Sequence, residues 1–142
     1  ARLNAHAAEA VSKCPEIHAC TDVTGFGLGG HGTEMAAGSD KTLVIDTQAL
    51  PIFPDVEEYA SMGLIPGGAY RNREFAAKTG FVSTAKLWLE DLVFDPQTSG
   101  GLLAAVPAEE ADEILRKLKE LSLSCAVIGE VIDREKHTLL IR

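Results

Sequence analysis

The sequence predicts an α+β fold, with helices packed on a mixed or antiparallel sheet. Three observations carry this. Short apolar runs at strand period alternate with helical-period runs, but not in strict strand–helix–strand order. One strongly amphipathic helix follows a proline at 107. The 142 residues suffice for one domain, 1–142, with an apolar core of its own.

In chain order, residues 3–14 read as a helix, because Leu3, Ala7, Ala10, Val11 and Cys14 recur at helical spacing and Pro15 stops it. Residues 17–23 read as a short strand. Four glycines then fall between 25 and 30, and a second helix is expected to begin among them and run to Gly38. Residues 41–46 are a strand, rich in β-branched and apolar side chains. Residues 55–62 read as a short helix with Asp55 as N-cap and Gly63 just past its end. Pro66-Gly67-Gly68 marks a turn, and 69–82, lacking a clear period, reads as a loop. Residues 83–92 are expected to be helical and 102–106 a strand. Pro107 then opens a helix to about Leu121, with Ala111, Ile114, Leu115, Leu118 and Leu121 on one face. Residues 125–132 and 138–141 close the chain as strands.

Composition narrows the function. Net charge is −8, from 13 Lys+Arg against 21 Asp+Glu; duplex nucleic acid normally requires a basic face, so no nucleic-acid partner is expected. No apolar run approaches the roughly 18 residues of a membrane span, so no membrane partner is expected either. The three cysteines, Cys14, Cys20 and Cys125, are odd in number and form no C-x-x-C. That argues against a disulfide framework or a zinc knuckle and suits a reducing cytoplasm. Cys14 and Cys125 lie in apolar patterns and read as core residues. His6, His18, His31 and His137 show no i,i+4 pairing, so a histidine-built metal site is not expected. The first residues form no signal peptide and lack an initiating Met, so the chain is expected to begin within a longer protein.

The run Thr21-Asp22-Val23-Thr24-Gly25-Phe26-Gly27 carries the most chemistry. An apolar strand ends in a carboxylate, and small residues lead into a helix. Glycines let backbone N–H groups approach a ligand, and a helix N-terminus favours phosphate. Asp22 there suits Mg²⁺, which takes one or two carboxylates and completes its shell with substrate oxygens. The plainer reading is that Asp22 or Thr24 caps the helix and the glycines make a turn. The run is neither a Walker A loop nor a dinucleotide fingerprint, since it lacks Gly-Lys-Ser/Thr and the third glycine. A second run, Asp95-Pro96-Gln97-Thr98-Ser99-Gly100-Gly101-Leu102-Leu103, is rich in turn residues. It either holds two strands together or presents Gln97, Thr98 and Ser99 to a polar ligand.

These segments resemble the selenophosphate synthetases (selenide, water dikinases). The resemblance rests on Ala19-Cys20 with the first run, on Pro66-Gly67-Gly68 followed by Arg71-Asn72, on the second run, and on Ile128-Gly129-Glu130-Val131. It covers the chain from about Leu3 to its end. It implies the C-terminal domain of a two-domain enzyme within a wider group. That group includes aminoimidazole ribonucleotide synthetase, thiamine-monophosphate kinase and a hydrogenase maturation factor. The implied reaction converts ATP, selenide and water to selenophosphate, AMP and phosphate with Mg²⁺, for selenocysteine and selenouridine synthesis. The resemblance places the reactive Cys or selenocysteine, the Lys and most ATP ligands in an N-terminal domain that this chain lacks. That domain would also form much of the homodimer interface. No catalytic residue is therefore expected here, and Cys20 is not the reactive cysteine. Asp22 matches the family's C-domain Mg²⁺ aspartate, and Thr21, Thr24, Gly25 and Gly27 are the expected nucleotide-side residues of the same run.

The chain departs from the family at Gly29-Gly30-His31-Gly32, where Leu-Gly-His-Leu is usual. Two interior glycines cost roughly 0.5–1 kcal/mol each relative to Ala, which weakens the expected first turns of that helix. Two other functions fit the same fold: a stand-alone nucleotide- or anion-binding module, and a dimerisation domain. An upstream domain in the gene would separate both from the enzyme-fragment reading.

Overall fold

A computed structural model describes residues 4–13, 16–121 and 123–142. Its helices are α1 (Ala5–Ser12), α2 (Gly27–Gly38), α3 (Val56–Ser61), α4 (Gly67–Thr79), α5 (Leu87–Val93) and α6 (Ala111–Glu120). Its strands are β1 (Ala19–Asp22), β2 (Lys41–Ile45), β3 (Phe81–Ser83), β4 (Leu102–Ala105), β5 (Gly129–Asp133) and β6 (Leu139–Ile141). The strands form two sheets. β1 and β4 pair antiparallel, with Asp22 opposite Leu102. The other four take the order β3-β6-β2-β5, parallel at β3–β6 and β6–β2 and antiparallel at β2–β5. The predicted α+β class with a mixed sheet is what forms. The ends of the predicted helix at 3 and 14, and the expectation that Cys14 is a core residue, lie outside the described residues. No helix among the described residues is long and apolar enough to cross a membrane.

Strand alternation decides which face of the larger sheet is covered. Leu43 and Ile45 of β2 and Leu139 and Ile141 of β6 point into the core, beside Phe94, Val93, Ala69 and Ala76. α2 packs on β2 and against α4. Its glycines explain the close fit. A Cβ at Gly29 would lie 2.5 Å from the Phe94 ring, and one at Gly32 would lie 2.7 Å from Leu43. Phe94 is fully buried. Despite these glycines, α2 is continuous from Gly27. The helix propensity lost at these glycines is offset by close packing of the helix backbone, on the Phe94 ring at Gly29 and on Leu43 at Gly32.

Four expectations need correction. Residues 69–82 are not a loop but α4 followed by β3. The buried stripe of α4 is Ala69, Asn72 and Ala76, small or polar residues that leave almost no hydrophobic period to read. Gly80, at φ +87°, ends the helix. The helix expected over 83–92 starts only at Leu87. Ser83 belongs to β3, opposite Ile141, and its hydroxyl accepts the Ala85 N–H in a turn. The strand expected over 125–132 begins at Gly129, whose backbone packs on Val44, and Cys125 is half-buried rather than core. Asp55 precedes α3 as expected, but at φ +66° and with no capping hydrogen bond. Gly63, at φ +79°, does follow the helix end as predicted.

Candidate functional site

The pairing of β1 with β4 brings the two glycine-rich runs together. The Val23 N–H donates to Gly101 O (2.9 Å) and the Gln97 N–H to Thr24 O (3.0 Å). Gly100 lies so close to Val23 O that no Cβ fits there. Gly27 takes φ +68°, and a Cβ on it would sit 2.8 Å from the backbone of Phe94 and Asp95. The second run is therefore a buttress beneath the first, as one of its two readings required. Thr98 and Ser99 face solvent. The Gln97 side-chain amide turns back to Asp95 Oδ2 (2.9 Å).

Asn72 locks the junction. It is buried within α4 and donates to both Gly25 O (2.9 Å) and Phe94 O (3.0 Å). A neighbouring ion-pair group steadies α4 against α5. Arg73 lies 2.5 Å from Glu90 and 3.6 Å from Asp91, two largely buried carboxylates. Burial pushes the Asp91 carboxyl up and Arg73 opposes that shift. Nothing in the sequence pattern marked Asn72 as a clasp, because a polar residue inside a helix usually faces water.

The predicted site residues fall into two groups. Asp22 is exposed at the last position of β1, and no side chain among the described residues bonds its carboxylate. It does not cap α2. The N-cap position is Phe26, with no side-chain cap, and the first turn is closed by the Gly27 N–H on Thr24 O (2.9 Å). Gly25 is exposed, and nothing lies within 4 Å of where its Cβ would stand. Thr24 is half-buried, its hydroxyl 2.9 Å from His31 Nε2. Asp22, Thr24 and Gly25 thus sit where a ligand could reach them. Gly27 is buried, so packing alone accounts for it. Thr21 turns its hydroxyl onto Asp22 O (3.1 Å).

A free carboxylate beside an open glycine fits Mg²⁺ arriving with a substrate's phosphates, because that ion needs one or two protein carboxylates and keeps much of its hydration. No group of three or more His, Cys, Asp or Glu that could hold a metal occurs among the described residues. One shallow depression lies against α6 and another on the outer face of the larger sheet, and neither touches this loop.

Cys20 is exposed two residues before Asp22. Desolvation of its sulfur and then the Asp22 charge push its thiol up. A thiol held protonated is a poor nucleophile. Replacing Cys20 by Ala in the full-length protein should leave turnover within about twofold, and a steady-state assay checks this.

Asp95 is also pushed up, by burial, with the Gln97 hydrogen bond opposing. A carboxyl raised in the folded state favours folding while protonated, and that contribution is lost as pH climbs through its folded value. Denaturant titrations should therefore show Asp95→Asn gaining stability relative to the parent chain as pH rises from about 4. A constant difference across pH would contradict this.

Comparison with known proteins gives a consistent result. The family described as AIR synthase related protein, C-terminal domain, matches residues 1–142. Selenide, water dikinase of Clostridium botulinum (strain Alaska E43 / Type E3) is 44% identical over 142 residues, 99% of this chain and 41% of that protein. Selenide, water dikinase 2 of Peptoclostridium acidaminophilum is 40% identical over 142 residues, again 99% of this chain and 41% of the relative. The chain thus spans about 41% of the length of these relatives. Among solved structures, the E. coli hydrogenase maturation protein HypE superposes with TM-score 0.61 at 24% identity, over 89% of this chain and 32% of that one. Thiamine-monophosphate kinase from Stenotrophomonas maltophilia K279a gives TM-score 0.54 at 21% identity, over 88% and 31%. At those identities the structures speak for the fold alone.

Proposed function

The chain belongs to the AIR synthase related protein family, as its C-terminal domain, and from that premise we propose that it serves a selenide, water dikinase. The full-length protein would convert ATP, selenide and water to selenophosphate, AMP and phosphate. It would do so as a homodimer, with a preceding domain supplying the nucleophile and most nucleotide contacts. Identity of 40–44% to selenide, water dikinases along the whole chain is the observation that carries this reading.

Within the reaction the chain's own part is to present the 22–25 loop rigidly. β1 fixes Asp22, the second run and Asn72 hold the loop from below, and exposed Gly25 leaves room for phosphate to approach the backbone. Mg²⁺, when bound, neutralises charge on the phosphates as the phosphoryl group transfers. Asp22 would hold it from this side. Thr24 and Gly25 line the same edge, with Thr21 and Gly27 supporting them.

One carboxylate and one open turn leave most of the triphosphate charge without a partner. The chain alone should therefore produce no AMP above background from ATP, Mg²⁺ and selenide, and calorimetry should detect no micromolar ATP binding. Turnover by the isolated chain would overturn the proposal, and micromolar binding would favour a stand-alone nucleotide module.

A further inference from the structure

We propose that the exposed apolar surface around α3, carried by Phe53, Tyr59, Met62 and Leu64, is the seat on which the domain preceding residue 1 of the same chain packs. This rests on the reading of the chain as the second part of a longer protein, but not on the reaction assigned to that protein.

Residues 51–64 leave the core and return to it. Leu50 before them and Ile65 after them pack against the core. Between these anchors only Ala60 is buried, and Val56 is half-buried. The exposed remainder is rich in large apolar side chains. Phe53 is 81% exposed and Met62 and Leu64 65% each, and Ile52 and Tyr59 are exposed as well. The end of α3 gathers three of them. Tyr59 and Met62 are three residues apart and share one face of the last turn. The Gly63 N–H donates to Ala60 O (2.9 Å) and the Leu64 N–H to Tyr59 O (3.1 Å), with Gly63 at φ +79°. This pair of bonds turns the chain back over the helix end and brings Leu64 toward Tyr59. Single exposed apolar side chains are ordinary. A group of large ones, rich in Phe, Tyr and Met, has the composition of a covered surface.

Charge narrows the choice of occupant. From residue 47 to residue 70 the charged side chains are Asp55, Glu57 and Glu58, all acidic. A two-fold contact between two copies would set these carboxylates against one another, which disfavours it. An anionic membrane surface is repelled for the same reason. The fitting partner is a different protein surface, apolar at its centre with Lys or Arg at its rim.

Position then selects the preceding domain. The family match is to a C-terminal domain, and 142 residues are 41% of the relative's length. The rest, roughly 200 residues, forms a body with a radius of gyration of about 16 Å. It joins this chain ahead of Asn4, whose side-chain amide donates to Gly100 O (3.0 Å). The surface is tied to the same 95–103 run from the other side. Gly68 packs directly on Pro96, and Leu64 lies four residues before Gly68, no more than about 14 Å along the chain. A domain of that size attached at Asn4 reaches the surface beside α3. Seated there, it would also lie along the edge that carries the 22–25 loop, since the 95–103 run supports both.

The test uses the full-length protein. A photoreactive Phe53→benzoylphenylalanine variant, once irradiated, should link to a residue preceding residue 1 of its own chain. Peptide mass spectrometry reads the site, and a denaturing gel should show no species of doubled mass. A link joining two copies, or one confined to residues 1–142, overturns the inference. As a second measurement, the thiol of Met62→Cys should react with a maleimide at least about tenfold more slowly in the native protein than in denaturant, the protection of a covered site. Equal rates overturn the inference too. If the protein makes no selenophosphate but gives the expected link, the proposed reaction fails and the docking surface stands. If it makes selenophosphate while Phe53 links two copies, the docking surface fails and the reaction stands.

Discussion

Asp22→Asn in the full-length protein is expected to fold normally and to lose at least about a hundredfold in selenide-dependent ATP consumption, or ~2.7 kcal/mol of barrier. The geometry separates the two effects. Asp22 is exposed, ends a strand, and makes no side-chain bond to the described residues. It caps nothing, because α2 starts five residues later behind Phe26. Asn preserves shape and can replace Asp in most structural roles. What it removes is the negative charge that would hold Mg²⁺ on the phosphates. Added Mg²⁺ should recover part of the loss. Denaturant midpoints within experimental error of the parent, beside a collapsed rate, are the expected pair of results. Near-normal turnover at ordinary Mg²⁺ would make Asp22 a surface residue without a catalytic task.

Gly100→Ala is expected to destabilise the chain by about 3 kcal/mol or more, while Gly101→Ala changes it by no more than about 0.5 kcal/mol. The two glycines are neighbours in one motif, yet their surroundings are opposite. A methyl at Gly100 would press on the carbonyl of Val23 and come within 2.9 Å of Gln97 Cβ. The obstructing carbonyl is backbone, in the residue that bonds Gly101, so relief requires parting β1 from β4. A methyl at Gly101 meets nothing within 4 Å. Against a total stability of about 5–15 kcal/mol, the first loss is large. Because it falls on the support of the 22–25 loop, the full-length Gly100→Ala protein should also lose activity at temperatures where it remains folded. Urea titrations of both variants check this, and equal stabilities would refute the buttress role of the second run.

Much of this was legible in the sequence because the physics was local. Pro107 followed by Ile114, Leu115 and Leu118 specifies an amphipathic helix, and Leu43-Val44-Ile45 specifies a strand. The carboxylate at the end of β1 was visible from the apolar run before it and the glycines after it. What was hidden depends on partners distant in the chain. α4 buries Ala69, Asn72 and Ala76, and only the tertiary fold shows that such small residues form a core stripe. The glycines at 29 and 32 read as a weakness until Phe94 and Leu43 occupy the space. Asn72 entered only through the Arg71-Asn72 pair of the resemblance, and His31 only within the Gly29-Gly30-His31-Gly32 departure; neither showed what it bonds. The bonds to Gly25, Phe94 and Thr24 form only when β1 pairs with β4 and α2 packs on α4.

The most direct test of the account is the product spectrum of the full-length protein. Incubated with ATP, Mg²⁺ and selenide without oxygen, it should yield selenophosphate, AMP and phosphate in equal amounts by phosphorus NMR, and AMP formation should depend on selenide. ADP as the nucleotide product, or no selenium–phosphorus signal while ATP is consumed, would contradict the assignment.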